Sequence, residues 1–275
     1  MGRIVSVSAA PYDGWEAAVV LESLARCGAA HVEPAFIVGY TEPFDETAFG
    51  EAEATRWSSL LRASGLGCHA LSSHIDLGRE DAVAVFLRRM DFARRLGARV
   101  INTNAAVREN KAAFLRNIGP LVRHAEAIGL VIGLENPGDA RPNLIDVAAD
   151  GIALVRQIDV PELRLNYDPG NTGSHRPEID PVADAISALD VCVHLHLKAV
   201  RRVEDGWTNV ALGEGDRDLG PLRAALDARP ALPVGIEVPL RMRRGQDAQP
   251  WRRVARLQLQ VIEAAVRRSL AWVGT

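Results

Sequence analysis

The chain has 275 residues, of which 48% are hydrophobic, and a formal net charge of −3 at pH 7. This composition excludes wholesale disorder, and the near balance of basic and acidic residues excludes a global field that would attract nucleic acid. No apolar run approaches the ~20 residues that a transmembrane helix needs. The three cysteines form no CxxC pair, which favours reduced thiols and a cytoplasmic protein.

Short apolar runs alternate along the chain with longer segments in which apolar residues recur every three or four positions. Eight runs are predicted to be strands: Ile4–Ser8, Ala30–Pro34, Gly67–Leu71, Arg99–Thr103, Val131–Glu135, Arg164–Asp168, Val191–His196 and Val234–Glu237. Eight segments are predicted to be helices: Ala17–Arg26, Glu51–Ala63, Asp81–Arg95, Asn110–Ala127, Ile145–Gln157, Pro181–Leu189, Leu219–Ala228 and Trp251–Leu270.

This alternation predicts repeated βαβ units and hence a parallel sheet. With eight repeats and no linker or composition shift, we expect an α/β protein with a single (β/α)8 TIM barrel domain over residues 1–275. No GxGxxG motif follows the first strand, which disfavours a dinucleotide-binding fold. In a barrel the carboxyl ends of the strands meet at one mouth, and active sites lie there.

Four of the predicted strands end on an ionisable side chain. These are Glu135, Asp168, Glu237 and one of the pair His194 and His196. Three carboxylates packed together repel one another and have raised pKa values, a conflict that a divalent cation removes. A shell of oxygen and imidazole ligands suits Mn²⁺, Mg²⁺, Co²⁺ or Zn²⁺. Residues two apart on a strand face the same side, so the pattern alone does not choose between the two histidines.

Five short motifs stand at or near the predicted strand ends or, in the case of the Gly213–Asp216 turn, in the loop after the seventh strand. They are Gly133-Leu134-Glu135-Asn136, Asp168-Pro169-Gly170-Asn171, His194-Leu195-His196-Leu197-Lys198, Leu212-Gly213-Glu214-Gly215-Asp216 and Gly235-Ile236-Glu237. Together they resemble the motifs of the xylose isomerase-like sugar phosphate isomerase/epimerase superfamily. The resemblance implies a (β/α)8 barrel with one divalent metal ion, for which we favour Mn²⁺ over Mg²⁺, Co²⁺ or Zn²⁺. It implies that the metal ligands are Glu135, Asp168, His196 and Glu237.

The same resemblance bears on the substrate. In the related ketose 3-epimerases an arginine six residues beyond the ligand histidine contacts substrate, and Arg202 stands at that position. Three departures from related sequences are Asn171 in place of a histidine, Arg141 in place of a second glutamate, and Ala199 in place of an aspartate. These departures disfavour a 3-epimerase of free ketoses.

Further polar side chains are predicted to lie at the mouth of the barrel. Glu33 lies at the end of the second predicted strand, His74 follows the third, and Asn104 follows the fourth. Lys198 continues the seventh strand in the same phase as His196, so we expect it to point inward toward an oxyanion or carboxylate. The predicted substrate-binding residues are therefore His74, Asn104, Asn171, Lys198, Arg202 and Glu33.

The sequence thus predicts an isomerase or epimerase of a sugar or related polyhydroxy carbonyl compound. Glu135 and Glu237 come from well-separated strands, and we expect them to move a proton beside the carbonyl through a metal-stabilised enediolate. The alternatives are a dehydratase of an inosose or dehydroshikimate-like substrate, an endonuclease IV-like phosphodiesterase, and a non-catalytic sugar binder. The expected partner is a small molecule, with no nucleic acid and no membrane, and homo-oligomerisation is left open.

Overall fold

The computed structural model describes residues 2–176, 178–245 and 251–274. The strands in this part of the chain are β1 Val5–Ser8, β2 His31–Glu33, β3 Ala35–Ile37, β4 Gly67–Cys68, β5 Ala70–His74, β6 Val100–Asn104, β7 Val131–Glu135, β8 Leu163–Tyr167, β9 Cys192–Leu197, β10 Ala199–Val203, β11 Gly206–Val210, β12 Val234–Ile236, β13 Met242–Gly245 and β14 Arg252–Arg253. The α-helices are α1 Ala17–Arg26, α2 Glu51–Ser64, α3 Ala82–Arg95, α4 Lys111–Ile128, α5 Ala148–Ile158, α6 Pro169–His175, α7 Pro181–Ala188, α8 Gly220–Asp227 and α9 Leu259–Val273.

Ten strands form one parallel sheet in the order β3-β5-β6-β7-β8-β9-β12-β1-β2-β4. Ten are present where eight were predicted, because an additional strand, β3, follows the second predicted strand after Pro34, and the third predicted strand is divided at His69. Proline has no N–H to contribute to the ladder, yet pairing continues on either side of it, β2 with β4 and β3 with β5. The result is a curled, TIM-barrel-like sheet, which confirms the predicted α/β class and is consistent with the predicted (β/α)8 barrel.

The helices pack apolar stripes against the core. In α3 the buried residues Phe86, Met90 and Ala93 recur at three- and four-residue steps, so one side of the helix faces inward. Helices α2 and α4 end at Gly65 and Gly129, which both have a positive φ that glycine adopts readily. No helix in the described part of the chain has the length and apolarity needed to cross a membrane.

A second, antiparallel sheet of β10, β11, β13 and β14 was not predicted. It begins at Ala199, directly after β9 and Lys198. The predicted helix Trp251–Leu270 is wrong in its first part, because β14 pairs with β13 and α9 begins only at Leu259. Arg253 Nη1 lies 3.1 Å from both Asp13 Oδ2 and Glu42 Oε2, so this segment contacts distant parts of the chain.

Candidate metal centre

Four side chains meet at the carboxyl ends of neighbouring strands. Glu135 is the last residue of β7, Asp168 directly follows β8, His196 lies in β9, and Glu237 directly follows β12. These four strands are consecutive in the sheet. All four side chains are buried, and one potential ligand atom from each lies within 4.8 Å of those of the other three. The structure therefore brings together the four residues that the family resemblance implies as metal ligands.

The imidazole of His196 lies between carboxylates. Its Nδ1 is 2.9 Å from Glu135 Oε2 and 3.6 Å from Glu237 Oε2, while its Nε2 is 2.9 Å from Glu33 Oε1. Burial alone would lower the pKa of His196, but the three carboxylates outweigh burial and raise that pKa well above its usual value. The ring thus presents one nitrogen to the carboxylate cluster and the other to a separate buried carboxylate.

Asp168 both follows a strand and caps the N-terminus of α6. Its Oδ1 accepts hydrogen bonds from the backbone N–H groups of Gly170 at 2.8 Å and Asn171 at 3.2 Å, while Oδ2 lies 2.6 Å from Lys198 Nζ. Burial raises the pKa of Asp168 to about 6, with the neighbouring carboxylates adding to the rise and the Lys198 ammonium opposing it. Helix α6 was not predicted, although an aspartate followed by proline is a common helix start.

The ammonium group of Lys198 lies among the carboxylates. Its Nζ is 2.6 Å from Asp168 Oδ2 and 2.5 Å from Glu237 Oε2, and it donates a hydrogen bond to Asn171 Oδ1 at 3.0 Å. Burial alone would lower the pKa of Lys198, but these carboxylates raise it well above its usual value. Burial alone would also raise the pKa of Glu237, but the ammonium group outweighs it and lowers this pKa to about 2. Lys198 points inward, as we expected, and its charge offsets part of the charge of the cluster.

A cavity of about 990 Å³ adjoins this cluster. Its lining includes Glu135, Glu237 and four of the predicted substrate-binding residues, His74, Asn104, Asn171 and Lys198. His74 Nε2 lies 3.6 Å from Glu135 Oε2, and His74 Nδ1 lies 3.2 Å from Asn104 Oδ1. Asn171 Nδ2 donates a hydrogen bond to Glu135 Oε1 at 3.1 Å. The cavity therefore presents carboxylates, an imidazole, amides and an ammonium group to any molecule that enters it.

Two of the predicted substrate-binding residues do not line this cavity. Arg202 is exposed on β10, where its backbone N–H donates a hydrogen bond to Asp216 Oδ2 at 2.5 Å. Glu33 has no exposed surface and contacts His196 instead. His194 is also completely buried, and its Nδ1 lies 2.9 Å from Asn166 Oδ1. Glu33 and His194 thus belong to a polar layer next to His196, whereas Arg202 is carried away by the antiparallel sheet.

Several residues that line the cavity were not predicted as site residues. Tyr40 comes from the loop after β3, His175 ends α6, and Trp251 precedes β14. Burial raises the pKa of Tyr40, so its phenol remains a hydrogen-bond donor at neutral pH. Arg79 and Arg141 also contribute to the lining. Residues in loops have no periodic pattern, so no signal in the sequence indicated that they lie here.

His175 provides a prediction about stability in acid. Burial, together with the charge of Arg244, lowers the pKa of His175 to about 4, compared with about 6.5 in an unfolded chain. The folded state therefore binds a proton at His175 less tightly than the unfolded chain does. The stability associated with the neutral His175 ring is complete above about pH 6.5 and is lost as the pH falls toward 4. From pH 7 to pH 4.5, the free energy of unfolding should fall by about 2 kcal/mol more in the wild type than in His175→Asn. Chemical denaturation at the two pH values measures both losses. An equal fall in the free energy of unfolding in the wild type and in His175→Asn would contradict this prediction.

The donor set fits a divalent metal ion. It offers three carboxylates and one imidazole, which Mg²⁺, Mn²⁺, Co²⁺ and Zn²⁺ all accept. Asp168 Oδ2 and Glu237 Oε2 both lie against one cation, the Lys198 ammonium, at 2.6 Å and 2.5 Å. This single positive charge does not balance the three buried carboxylates, and a divalent ion among them would offset the remaining charge.

Three solved structures illustrate what the fold is similar to. D-psicose 3-epimerase, solved in the presence of D-fructose, has a TM-score of 0.74 at 16% identity, and the match covers 99% of this chain and 98% of the epimerase chain. A probable 3-DHS dehydratase from Bacillus anthracis has a TM-score of 0.70 at 14% identity, with 96% and 97% covered. A xylose isomerase-like TIM barrel protein from Mycobacterium smegmatis in complex with magnesium has a TM-score of 0.69 at 16% identity, with 99% and 95% covered. At these identities the likeness shows the fold alone.

Comparison of sequences gives the family. No curated protein matches the chain. The profile of the xylose isomerase-like TIM barrel family matches residues 21–264, which is most of the chain. This match confirms the resemblance that the five motifs indicated, and the chain belongs to the xylose isomerase-like TIM barrel family.

Proposed function

We propose that this protein is a divalent-metal-dependent enzyme that isomerises or epimerises a sugar or related polyhydroxy carbonyl compound. The observation that carries the proposal is the convergence of Glu135, Asp168, His196 and Glu237 on one buried point beside a cavity of sugar-binding size. We also propose that β2 with β3, and β4 with β5, each act as one strand of a closed (β/α)8 barrel that forms a single domain over residues 1–275.

The four converging residues are the proposed metal ligands, and we favour Mn²⁺. When bound, the ion would supply Lewis acidity that stabilises negative charge on a substrate oxygen. The backbone hydrogen bonds at the start of α6 fix the orientation of the Asp168 carboxylate. The Lys198 ammonium offsets part of the carboxylate charge, which lowers the cost of gathering these groups in a buried site.

Glu135 and Glu237 are the proposed proton carriers. Both line the cavity, and their strands are separated in the sheet by β8 and β9, so the two carboxylates approach a bound substrate from different directions. One carboxylate would remove the proton from the carbon beside the carbonyl, and the other would return a proton. Return to the opposite face of that carbon gives an epimer, while return to the neighbouring carbon gives an isomer.

The proposed substrate contacts are His74, Asn104, Asn171 and Lys198. Lys198 lines the cavity, and its positive charge would stabilise the substrate oxygen that gains negative charge. Asn104 Oδ1 accepts a hydrogen bond from His74 Nδ1, which leaves His74 Nε2 directed toward Glu135. Asn171 bonds to both Glu135 and Lys198, so it also holds the two groups in a fixed relation.

Proton NMR in D₂O tests this proposal. The protein would be stripped of metal by a chelator, divided into samples with and without Mn²⁺, and incubated with ketoses, inososes and dehydroshikimate-like acids. We expect deuterium to enter at the carbon beside the carbonyl only in the sample with metal, and the carbon skeleton and oxygen count of the product to be unchanged. Loss of water from the substrate would instead identify the dehydratase alternative, which begins with the same proton removal. The absence of exchange with every class, in protein shown to hold metal, would contradict the proposal.

A further inference from the structure

We propose that Glu33 is a positioning residue for His196, which holds the imidazole so that Nδ1 is the nitrogen offered to the metal. This inference rests on the proposed metal centre and concerns a buried carboxylate that lies outside both the ligand set and the cavity lining. Glu33 has no exposed surface, so contact with a substrate does not explain its presence. A buried carboxylate needs donors around it, and the identity of those donors indicates its role.

Three donors surround one oxygen of Glu33. Its Oε1 accepts hydrogen bonds from Ser72 Oγ at 2.6 Å and Asn102 Nδ2 at 2.9 Å, and His196 Nε2 lies 2.9 Å away. An ionised carboxylate only accepts hydrogen bonds, so His196 Nε2 must carry the proton in this contact. In the neutral ring Nδ1 then keeps its lone pair, and Nδ1 is the nitrogen that faces Glu135 and Glu237. The contact therefore selects the tautomer that can bind a metal among those carboxylates.

The surroundings hold the Glu33 carboxylate in place, because Ser72 and Asn102 both donate hydrogen bonds to its Oε1. Gly235 makes the room, because a Cβ at that position would lie 2.6 Å from Glu33 Oε2. A carboxylate that accepts a hydrogen bond from the far nitrogen of a ligand histidine fixes the ring and makes the near nitrogen a stronger metal donor.

A second cation between Glu33, His194 and His196 is the competing interpretation. Their potential ligand atoms also lie within 4.8 Å of one another, and Glu33 Oε2 and His194 Nε2, which are 3.6 Å apart, have no hydrogen-bond partner among the described residues. In this arrangement the second cation would replace the proton on His196 Nε2 while Nδ1 binds the first cation. The two interpretations therefore differ in the number of metal ions per chain and in the protonation of His196 Nε2.

Metal titration of the wild type and Glu33→Gln by calorimetry tests the inference. We expect one ion per chain in both proteins and an affinity that is about 10–100-fold lower in Glu33→Gln, because the outer carboxylate is lost while a neutral acceptor of similar shape remains. Glu16→Gln, at an exposed position before α1, is the matched control and should bind metal as the wild type does. Circular dichroism and thermal unfolding would verify that the variant is folded.

A measurement on the wild type covers the case in which Glu33→Gln does not fold. In ¹⁵N-labelled protein loaded with diamagnetic Zn²⁺ or Mg²⁺, the His196 side chain should show a proton on Nε2 and none on Nδ1. Wild-type affinity in folded Glu33→Gln, a proton on Nδ1, or two ions per wild-type chain would each overturn this inference while leaving the proposed function standing. A wild-type chain that binds no divalent ion would instead remove the proposed function, and this inference with it.

Discussion

Replacing Glu135 or Glu237 with glutamine should leave at least one of the two variants about 10²–10⁴-fold less active when it is saturated with metal. Glutamine keeps the size of the side chain and one oxygen donor, but it does not take a proton from carbon. A group that acts only as a ligand should lose activity in proportion to lost metal, and excess metal should restore it. The measurement is kcat across a series of metal concentrations, with the bound metal determined in each sample.

Glu126→Gln is the matched control for these variants, because Glu126 is exposed on α4 and lies away from the cavity. It should retain the activity and metal content of the wild type. If excess metal restores full activity to both Glu135→Gln and Glu237→Gln, neither residue is the proton carrier. The next candidates would be His74 and Lys198, which line the same cavity.

Lys198→Met should lower the free energy of unfolding of the metal-free protein by about 3–5 kcal/mol, which is the usual cost of removing one partner from a buried ion pair. Its ammonium lies within 2.6 Å of two buried carboxylate oxygens, and methionine fills a similar volume without charge. Mn²⁺ should recover most of the loss, because the ion neutralises the carboxylates that the substitution leaves uncompensated. Denaturant unfolding in the presence of chelator and of excess Mn²⁺ measures both effects.

The chain offers a close control for this substitution, since its only other lysine, Lys111, is exposed at the start of α4. Lys111→Met should change stability little in either condition, because it breaks no buried ion pair. A loss in Lys198→Met that is equal with chelator and with metal would contradict the charge-balancing role of Lys198. Such a result would point to lost packing as the cause instead.

Strand periodicity predicted the part of the site that the sheet itself builds. Glu135, Asp168, His196 and Glu237 each follow or end an apolar run, and parallel strands bring such positions to one edge. The same rule did not separate His194 from His196, because residues two apart face the same side of a strand. The structure distinguishes them by contacts: only His196 reaches Glu135 and Glu237, while His194 contacts Asn102.

The remainder of the site depends on contacts between distant parts of the chain. Glu33 was predicted to touch substrate because it ends a strand, but its depth depends on donors from other strands, such as Ser72 and Asn102. Tyr40 and Trp251 reach the cavity from loops, where no repeating pattern exists to detect. The segment that holds Trp251 was predicted to be helical from its local spacing, which carries no information about the pairing of β14 with β13.

Crystals grown with Mn²⁺ and measured at the manganese absorption edge give the most direct test of the proposed metal centre. We expect one anomalous peak per chain, within about 2.0–2.6 Å of side-chain atoms of Glu135, Asp168, His196 and Glu237. His196 should approach the peak through Nδ1, with Nε2 remaining on Glu33. A strong peak elsewhere in the chain with none among these four residues, or no bound manganese at all, would contradict the proposed metal centre.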